Sequence, residues 1–227
     1  AGAVSASAVT KGDVVSRSEP VSGIEFIDKA IINVGNSMMV ADSLRLNATS
    51  KTNYRSEGVN ALNVIQGETK VSLSGANQLQ IGLGGIHALA SDLTTVTADV
   101  NGAEGISAAF NYVDRSVKAL ISDSDIRSID GDLELSAHNL RQVNATTLIA
   151  PVGDPDSSAN PDPRQQAGLF AVNVILGKTE ASIKQSVIET LSLSVQASNT
   201  SQVSSTLEGG IESSIDPSSP ESQPHVR

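Results

Sequence analysis

Cysteine and tryptophan are absent from this chain of 227 residues. Without cysteine there is no disulfide framework, thiolate metal site, CxxC redox motif or cysteine nucleophile. Aromatic residues are scarce as well: Phe26, Tyr54, Phe110, Tyr112 and Phe170 make up 2% of the chain. That is too few rings for a sugar platform or a base-stacking surface. Positive charge is also in deficit, with 15 Lys and Arg against 25 Asp and Glu, a formal charge of −10. Such a chain repels a phosphate backbone, and its basic residues form no stripe, so nucleic acid is excluded as a partner. No apolar run approaches the roughly 20 residues of a membrane helix, and no transmembrane segment is expected.

What remains is one domain, or at most two, with 39% hydrophobic residues drawn mostly from Ala, Val, Ile and Leu. Its core is therefore expected to consist of small and branched side chains. The opening Ala1-Gly-Ala-Val-Ser-Ala-Ser-Ala8 has no methionine and fits either a processed N-terminus or the edge of a fragment. Abundant Ser, Thr and Asn, acidity and the missing cysteine together suggest an extracellular bacterial protein.

Internal repetition organises the chain. Gly58-Val-Asn-Ala-Leu-Asn-Val64, Gly105-Ile-Ser-Ala-Ala-Phe-Asn-Tyr112 and Gly168-Leu-Phe-Ala-Val-Asn-Val174 each end in Ala, apolar, Asn, apolar. Eight residues beyond Asn63, Asn111 and Asn173 come Val71, Ala119 and Ala181, inside a second shared motif. A further set, Leu46-Asn-Ala48, His87-Ala-Leu-Ala90, Leu133-Glu-Leu-Ser-Ala137 and Leu193-Ser-Val-Gln-Ala197, leads each time into a polar stretch. Ala90 to Ala137 is 47 residues; Ala137 to Ala197 is 60, which returns to 47 once the 13 residues of Pro151–Pro163 are read as an insertion. Ala48 to Ala90 is only 42, so either the first of these repeats is shorter or the alignment slips there.

Within each repeat apolar residues alternate at period two, as in Leu79-Gln-Ile-Gly-Leu83 and Leu191-Ser-Leu-Ser-Val195, which is the mark of strands. Gly67, Gly75, Gly84-Gly85, Asn101-Gly102, Asp130-Gly131 and Gly177 read as turns between them. The pattern predicts an all-β, right-handed parallel β-helix whose repeats of about 47 residues are double coils of about 23 each, with a β-sandwich as the alternative and a propeller disfavoured by the few repeats. Alternation places Leu133, Leu135, Ala137, Leu191, Leu193 and Val195 in the core at equivalent levels. Residues 1–22 read as an N-terminal arm, 23–211 as the repeat body with insertion 151–163, and 212–227 as a polar C-terminal tail.

The runs Gly168–Val174, Thr179-Glu-Ala-Ser-Ile183 and Leu193–Thr200, with Asp130-Gly-Asp-Leu-Glu-Leu-Ser-Ala137, resemble the degenerate repeats of large bacterial surface exoproteins of the filamentous-haemagglutinin and leukotoxin-like type. The resemblance spans roughly 30–210 and implies secretion, a parallel β-helix and an adhesive or structural role, with no catalytic residue carried over. Those proteins usually have many more repeats than the three and a half found here, and the insertion is outside their pattern.

Sites for chemistry are few. His87, His138 and His225 are far apart and lack HExxH spacing, and neither a GxSxG nor an SxxK nucleophile motif nor a P-loop occurs. Gly82-Leu-Gly-Gly85 reads as a turn, not a phosphate cradle. The best acidic cluster is Asp123, Asp125, Asp130 and Asp132, whose carboxylates suit calcium, although the spacing is not that of an EF-hand and solvated turns are the plainer reading. Asp154, Asp156 and Asp162 in the insertion read as a solvated loop open to a ligand. Asn63, Asn111 and Asn173 read as turn or ladder asparagines. Around them Leu62, Val64, Phe110, Tyr112, Val172 and Val174 make both strand faces apolar, which predicts a subunit contact.

The expected function is an extracellular structural or adhesive subunit, not an enzyme and without cofactor, whose partner is itself or neighbouring repeats, stacked head to tail into a filament. The alternatives are an adhesin module that binds a glycan or host ligand through the insertion, and a polysaccharide-active β-helix enzyme.

Overall fold

The computed structural model describes residues 2–17, 21–101, 106–149 and 168–209. They form ten strands: β1 (Ala3–Arg17), β2 (Val21–Gly35), β3 (Met38–Ala41), β4 (Ser43–Gly58), β5 (Asn60–Ile81), β6 (Ile86–Asn101), β7 (Ile106–Ile149), β8 (Gly168–Leu176), β9 (Thr179–Lys184) and β10 (Val187–Gly209). All pairings are parallel, and together they make the parallel β-helix that the repeats predict. The β-sandwich alternative falls with them.

Each turn of the helix has two long walls and a short third side. The first wall stacks β1, β4, β6, the last part of β7 and β10; a single rung runs Ala8, Ala48, Ala90, Ala137, Ala197. The second wall stacks β2, β5, the first part of β7, and β8 with β9. The short side stacks β3 on residues 78–80 of β5, which pair with 125–127 of β7, and these with the start of β10.

Two expectations are corrected by these registers. Paired counterparts lie 39 to 42 residues apart in the first turns and 47 or 48 apart in the next, as in His87/Glu134 and Asn63/Asn111, so one repeat is one turn of the helix and not two coils of about 23. Period-two alternation runs straight through the corners, and it therefore cannot reveal how many walls a repeat contains. Residues 3–17, within the stretch read as an arm, are β1, paired along its whole length with β4. The short interval from Ala48 to Ala90 is a true rung. The insertion 151–163 and the tail 212–227 lie outside the described residues.

Alternation turns every second side chain of each wall inward, where three apolar clusters fill the interior. The largest joins Leu44, Leu46 and Ala48, Ile86, Ala88 and Ala90, and Leu133, Leu135 and Ala137 of the first wall to Val71, Leu73, Val117, Ala119 and Ile121 of the second. The next sets Tyr54, Val96 and Val143 against Ile24, Ile65 and Val113. The last is a narrow apex of Ala61, Ala98, Val100, Ala109 and Ala145. Most rungs of these clusters stay apolar from turn to turn because every residue rests on its counterpart one turn away, at roughly 4.8 Å.

The corner that closes the second wall has its own signature. One residue per turn is left-handed there: Asn36 (φ 49), Gly75 (φ 80), Asp123 (φ 50) and Gln185 (φ 49). Glycine, asparagine and aspartate tolerate this conformation best. A short polar residue comes within two positions of each and ties the corners together: the Ser37 amide donates to Asn77 Oδ1 (3.2 Å), Asn77 Nδ2 to Ser124 Oγ (3.2 Å), and the Ser124 amide to Ser186 Oγ (3.2 Å).

The six expected core positions divide by level. Leu133, Leu135 and Ala137 are buried, whereas Leu193 and Val195, their counterparts above Leu133 and Leu135, are 52% and 43% exposed. The latter sit on the last described turn, with no described turn over them. Leu191 falls in the register break between Thr190 and Ser192 and is not on the same rung. Leu135→Asp is therefore expected to cost at least ~3 kcal/mol in chemical denaturation of the dilute chain, and Leu193→Asp less than ~1 kcal/mol. Equal losses would mean that the assigned end level is wrong.

Candidate functional site: the interior polar layer and the end turns

Between the two larger apolar clusters the interior is charged. Val113, Arg115 and Val117 are successive inward positions of the second wall, so the alternation that buries the valines also buries Arg115, which is 1% exposed. Its Nη2 donates to Asp28 Oδ2 (2.9 Å) and Ser50 Oγ (2.8 Å), and its Nε to Asp92 Oδ2 (2.9 Å). Ser50 in turn donates to Asp28 Oδ2 (2.7 Å), and Thr94 to Asp92 Oδ1 (2.6 Å). Burial opposes the Arg115 charge, but Asp92 and then Asp28 outweigh it and hold its pKa above the ordinary arginine value.

The rung through Arg115 runs Asp28, Gly67, Arg115. The guanidinium reaches Asp28 two levels away by passing over Gly67, where a Cβ would come within 2.4 Å of Asp28 O and 3.1 Å of Arg115 Nη1. Gly67 thus lies within β5 and is not the turn its sequence suggests. Gly177, between β8 and β9, does turn, with φ 108, and a Cβ there would strike the Arg115 carbonyl.

Arg141 repairs that interruption. From the first wall it donates through Nη1 to Leu176 O (2.7 Å) and through Nη2 to Arg115 O, carbonyls beside the gap in the second-wall ladder. Burial lowers its pKa; Asp92 works against that and Arg115 with it. No carboxylate lies within ion-pair distance of Arg141 among the described residues. Burial also raises the Tyr54 pKa, opposed by Thr52 and Arg115. Several buried polar atoms of this layer have no hydrogen-bond partner among the described residues, Asp28 Oδ1, Arg115 Nη1 and Arg141 Nε included.

The asparagines also face inward. Asn63 Nδ2 donates to Asn111 Oδ1 (2.7 Å) and Thr97 O (2.9 Å); Asn111 Nδ2 donates to Asn173 Oδ1 (2.8 Å) and Asn144 O (2.7 Å). The ladder closes at Asn173, whose Nδ2 turns to Ser204 O (2.7 Å) and Ser205 Oγ (3.0 Å).

The other candidates separate. Leu62, Phe110 and Val172 form one rung, and Val64, Tyr112 and Val174 the next, both on the outer face of the second wall. They make an apolar stripe on the flank, not on the end of the helix where head-to-tail stacking would place a contact. Asp123 is the left-handed corner residue, Asp125 lies 3.5 Å from Arg127 Nε, and Asp132 accepts from Ser192 Oγ (2.6 Å). The four carboxylates do not converge: among the described residues no three His, Asp or Glu gather as metal ligands would. His87 lies 3.1 Å from Glu134 Oε2, and His138 2.7 Å from Ser198 Oγ, both at wall surfaces. His225, Asp154, Asp156 and Asp162 lie outside the described residues. In Gly82–Gly85 the amides of Gly82, Gly84 and Gly85 donate to Ala41, Asp42 and Gly82 carbonyls, which leaves them no phosphate to hold.

The surfaces that remain are the two end turns. At one end β1, β2 and β3 leave Val4, Val9, Phe26 and Met38 exposed; at the other, Phe170, Leu193, Val195 and Val203. In the turns between, the counterparts of Val4, Leu193 and Val203 are buried.

Removing Arg115 leaves Asp28 and Asp92 buried without their cation. Arg115→Met is expected to lose ~3–5 kcal/mol by denaturant titration, most of it regained when Asp28 and Asp92 are replaced by leucine as well. Unchanged stability in the single variant would remove the cluster from the core. Glu180 is held down to about 2 by hydrogen bonds from Lys178 and then Lys184. A depressed acid stabilises above its unfolded pKa and loses that contribution as pH falls through the folded value. Glu180→Gln should therefore show a smaller drop in melting temperature between pH 6 and pH 2 than the parent chain.

Comparison with protein-family models, with curated proteins and with solved structures finds no match to this chain.

Proposed function

We propose that this chain is a non-enzymatic structural β-solenoid that associates with itself through its end turns, head to tail, as part of an extracellular bacterial surface assembly. The observation that carries the reading is the exposure of interior-type residues at both ends. Leu193 and Val195 stand on the rungs of Leu133 and Leu135, and Val4 on the rung of Leu44, but nothing in the described chain covers them. Among the described residues β1 and β10 each pair on one side only, which leaves an edge of the kind on which another strand adds. Two different, complementary ends give a heterologous contact, and such a contact extends into a filament when its rotation does not close. The extracellular setting is supported by the absent cysteine, the acidity and the resemblance to repetitive surface exoproteins.

Sedimentation velocity across a concentration series, with negative-stain images of the same samples, tests this. Rods that lengthen with concentration are expected, and Leu193→Glu should abolish them while leaving the β-type circular dichroism unchanged. A parent chain that stays monomeric at high concentration would overturn the proposal.

A further inference from the structure

If the chain self-associates as proposed, its ends also specify the register of the junction. We infer that a second copy docks with its β1 in register on β10 and its β2 on β8 and β9, so that each rung continues unchanged into the neighbouring molecule.

The rungs match at almost every level. In the first wall Leu193, Val195, Ala197, Asn199, Ser201, Val203 and Ser205 continue the rungs that begin at Val4, Ala6, Ala8, Thr10, Gly12, Val14 and Ser16. Apolar thus meets apolar and polar meets polar along the whole strand. In the second wall Ile175 receives Phe26, Ala181 receives Ile32 and Ile183 receives Val34. Asn173 receives Ile24, which asks for no hydrogen bond, and the Asn173 amide already donates sideways to Ser204 and Ser205. A shift by one residue would turn every inward side chain of the joining strand outward.

Charge supports the same register. Asp28 of the incoming copy comes to lie over Gly177, one level beyond the carbonyls held by Arg141. Among the described residues Asp28 has a buried oxygen without a partner, and Arg141 is a buried cation with an unpartnered Nε and no carboxylate at ion-pair distance. Across the junction the rung reads Asp28, Gly67, Arg115, Gly177 and then Asp28 again, so each arginine has a carboxylate two levels away on either side with a glycine between. The partner this end fits is therefore a second copy of the chain.

The absence of native cysteine allows a direct test by disulfide cross-linking in the full chain. Lys11 and Thr200 are exposed, outward residues at opposite ends of one rung, four levels and about 19 Å apart within a molecule. Only two molecules in register bring them to adjacent positions, within the roughly 4.4–6.8 Å between Cα atoms that a disulfide spans. Mild oxidation of the Lys11→Cys, Thr200→Cys variant is expected to give a ladder of covalent multimers on a non-reducing gel. The shifted pair Asp13→Cys, Thr200→Cys should give none, and a mixture of the two single variants Lys11→Cys and Thr200→Cys should give mixed dimers. Cross-linking by the shifted pair, or assembly without cross-linking by the matched pair, would overturn this register while leaving head-to-tail association intact. Absence of assembly by sedimentation would overturn both.

Discussion

The structure depends on one constraint: in a parallel, in-register solenoid each residue's neighbour along the axis is its counterpart one turn away. That neighbour sits at roughly 4.8 Å, close enough for size, polarity and backbone conformation to be read from turn to turn. Alanine stands on alanine from Ala8 to Ala197, asparagine bonds asparagine from Asn63 to Asn173, and one left-handed residue stands on the next at the corner. The three apolar clusters and the polar layer between them are slices of this stacking seen across the axis.

The polar layer breaks the rule of like on like, and glycine makes the exception possible. An arginine cannot stand on an arginine in a buried rung, so Arg115 has Gly67 on one side and Gly177 on the other and is met by acids from a different level and a different wall. Such a cluster adds little net stability relative to packed apolar residues. Its geometric demands are narrow, however. Arg115 reaches Asp28 only when exactly one empty level lies between them, and Arg141 reaches the Leu176 and Arg115 carbonyls only when the walls face each other at the right height. The layer therefore distinguishes the native register from slipped ones that the aliphatic rungs would tolerate.

Much of this was legible in the sequence because stacking writes itself as a period. The asparagine and alanine rungs were readable down to the short interval between Ala48 and Ala90, and so were the strand class and the parallel helix. The number of walls per repeat was not, since alternation passes through corners without a mark. The first turn was obscured by composition: Val4-Ser-Ala-Ser-Ala8 carries the same inward positions as Leu44-Arg-Leu-Asn-Ala48, but with smaller side chains at two of them. Asp123 looked like a ligand because its role is backbone conformation. Arg115 sits beside Asp114 and belongs to no motif, and its acids lie 23 and 87 residues away. The available signal was its phase, inward between Val113 and Val117.

The turns differ greatly in length, yet the walls keep their registers, so the difference must be taken up in the connections. Three residues separate β1 from β2 in the sequence, the single residue Val59 separates β4 from β5, four separate β6 from β7, and 18 separate β7 from β8. The registers on both walls are kept whatever the length of these intervals, so the frame tolerates variation in sequence length between one wall and the next. Val59 is the exception that shows the lower limit: one residue is enough to join the walls, and it packs against the alanine apex as it does so.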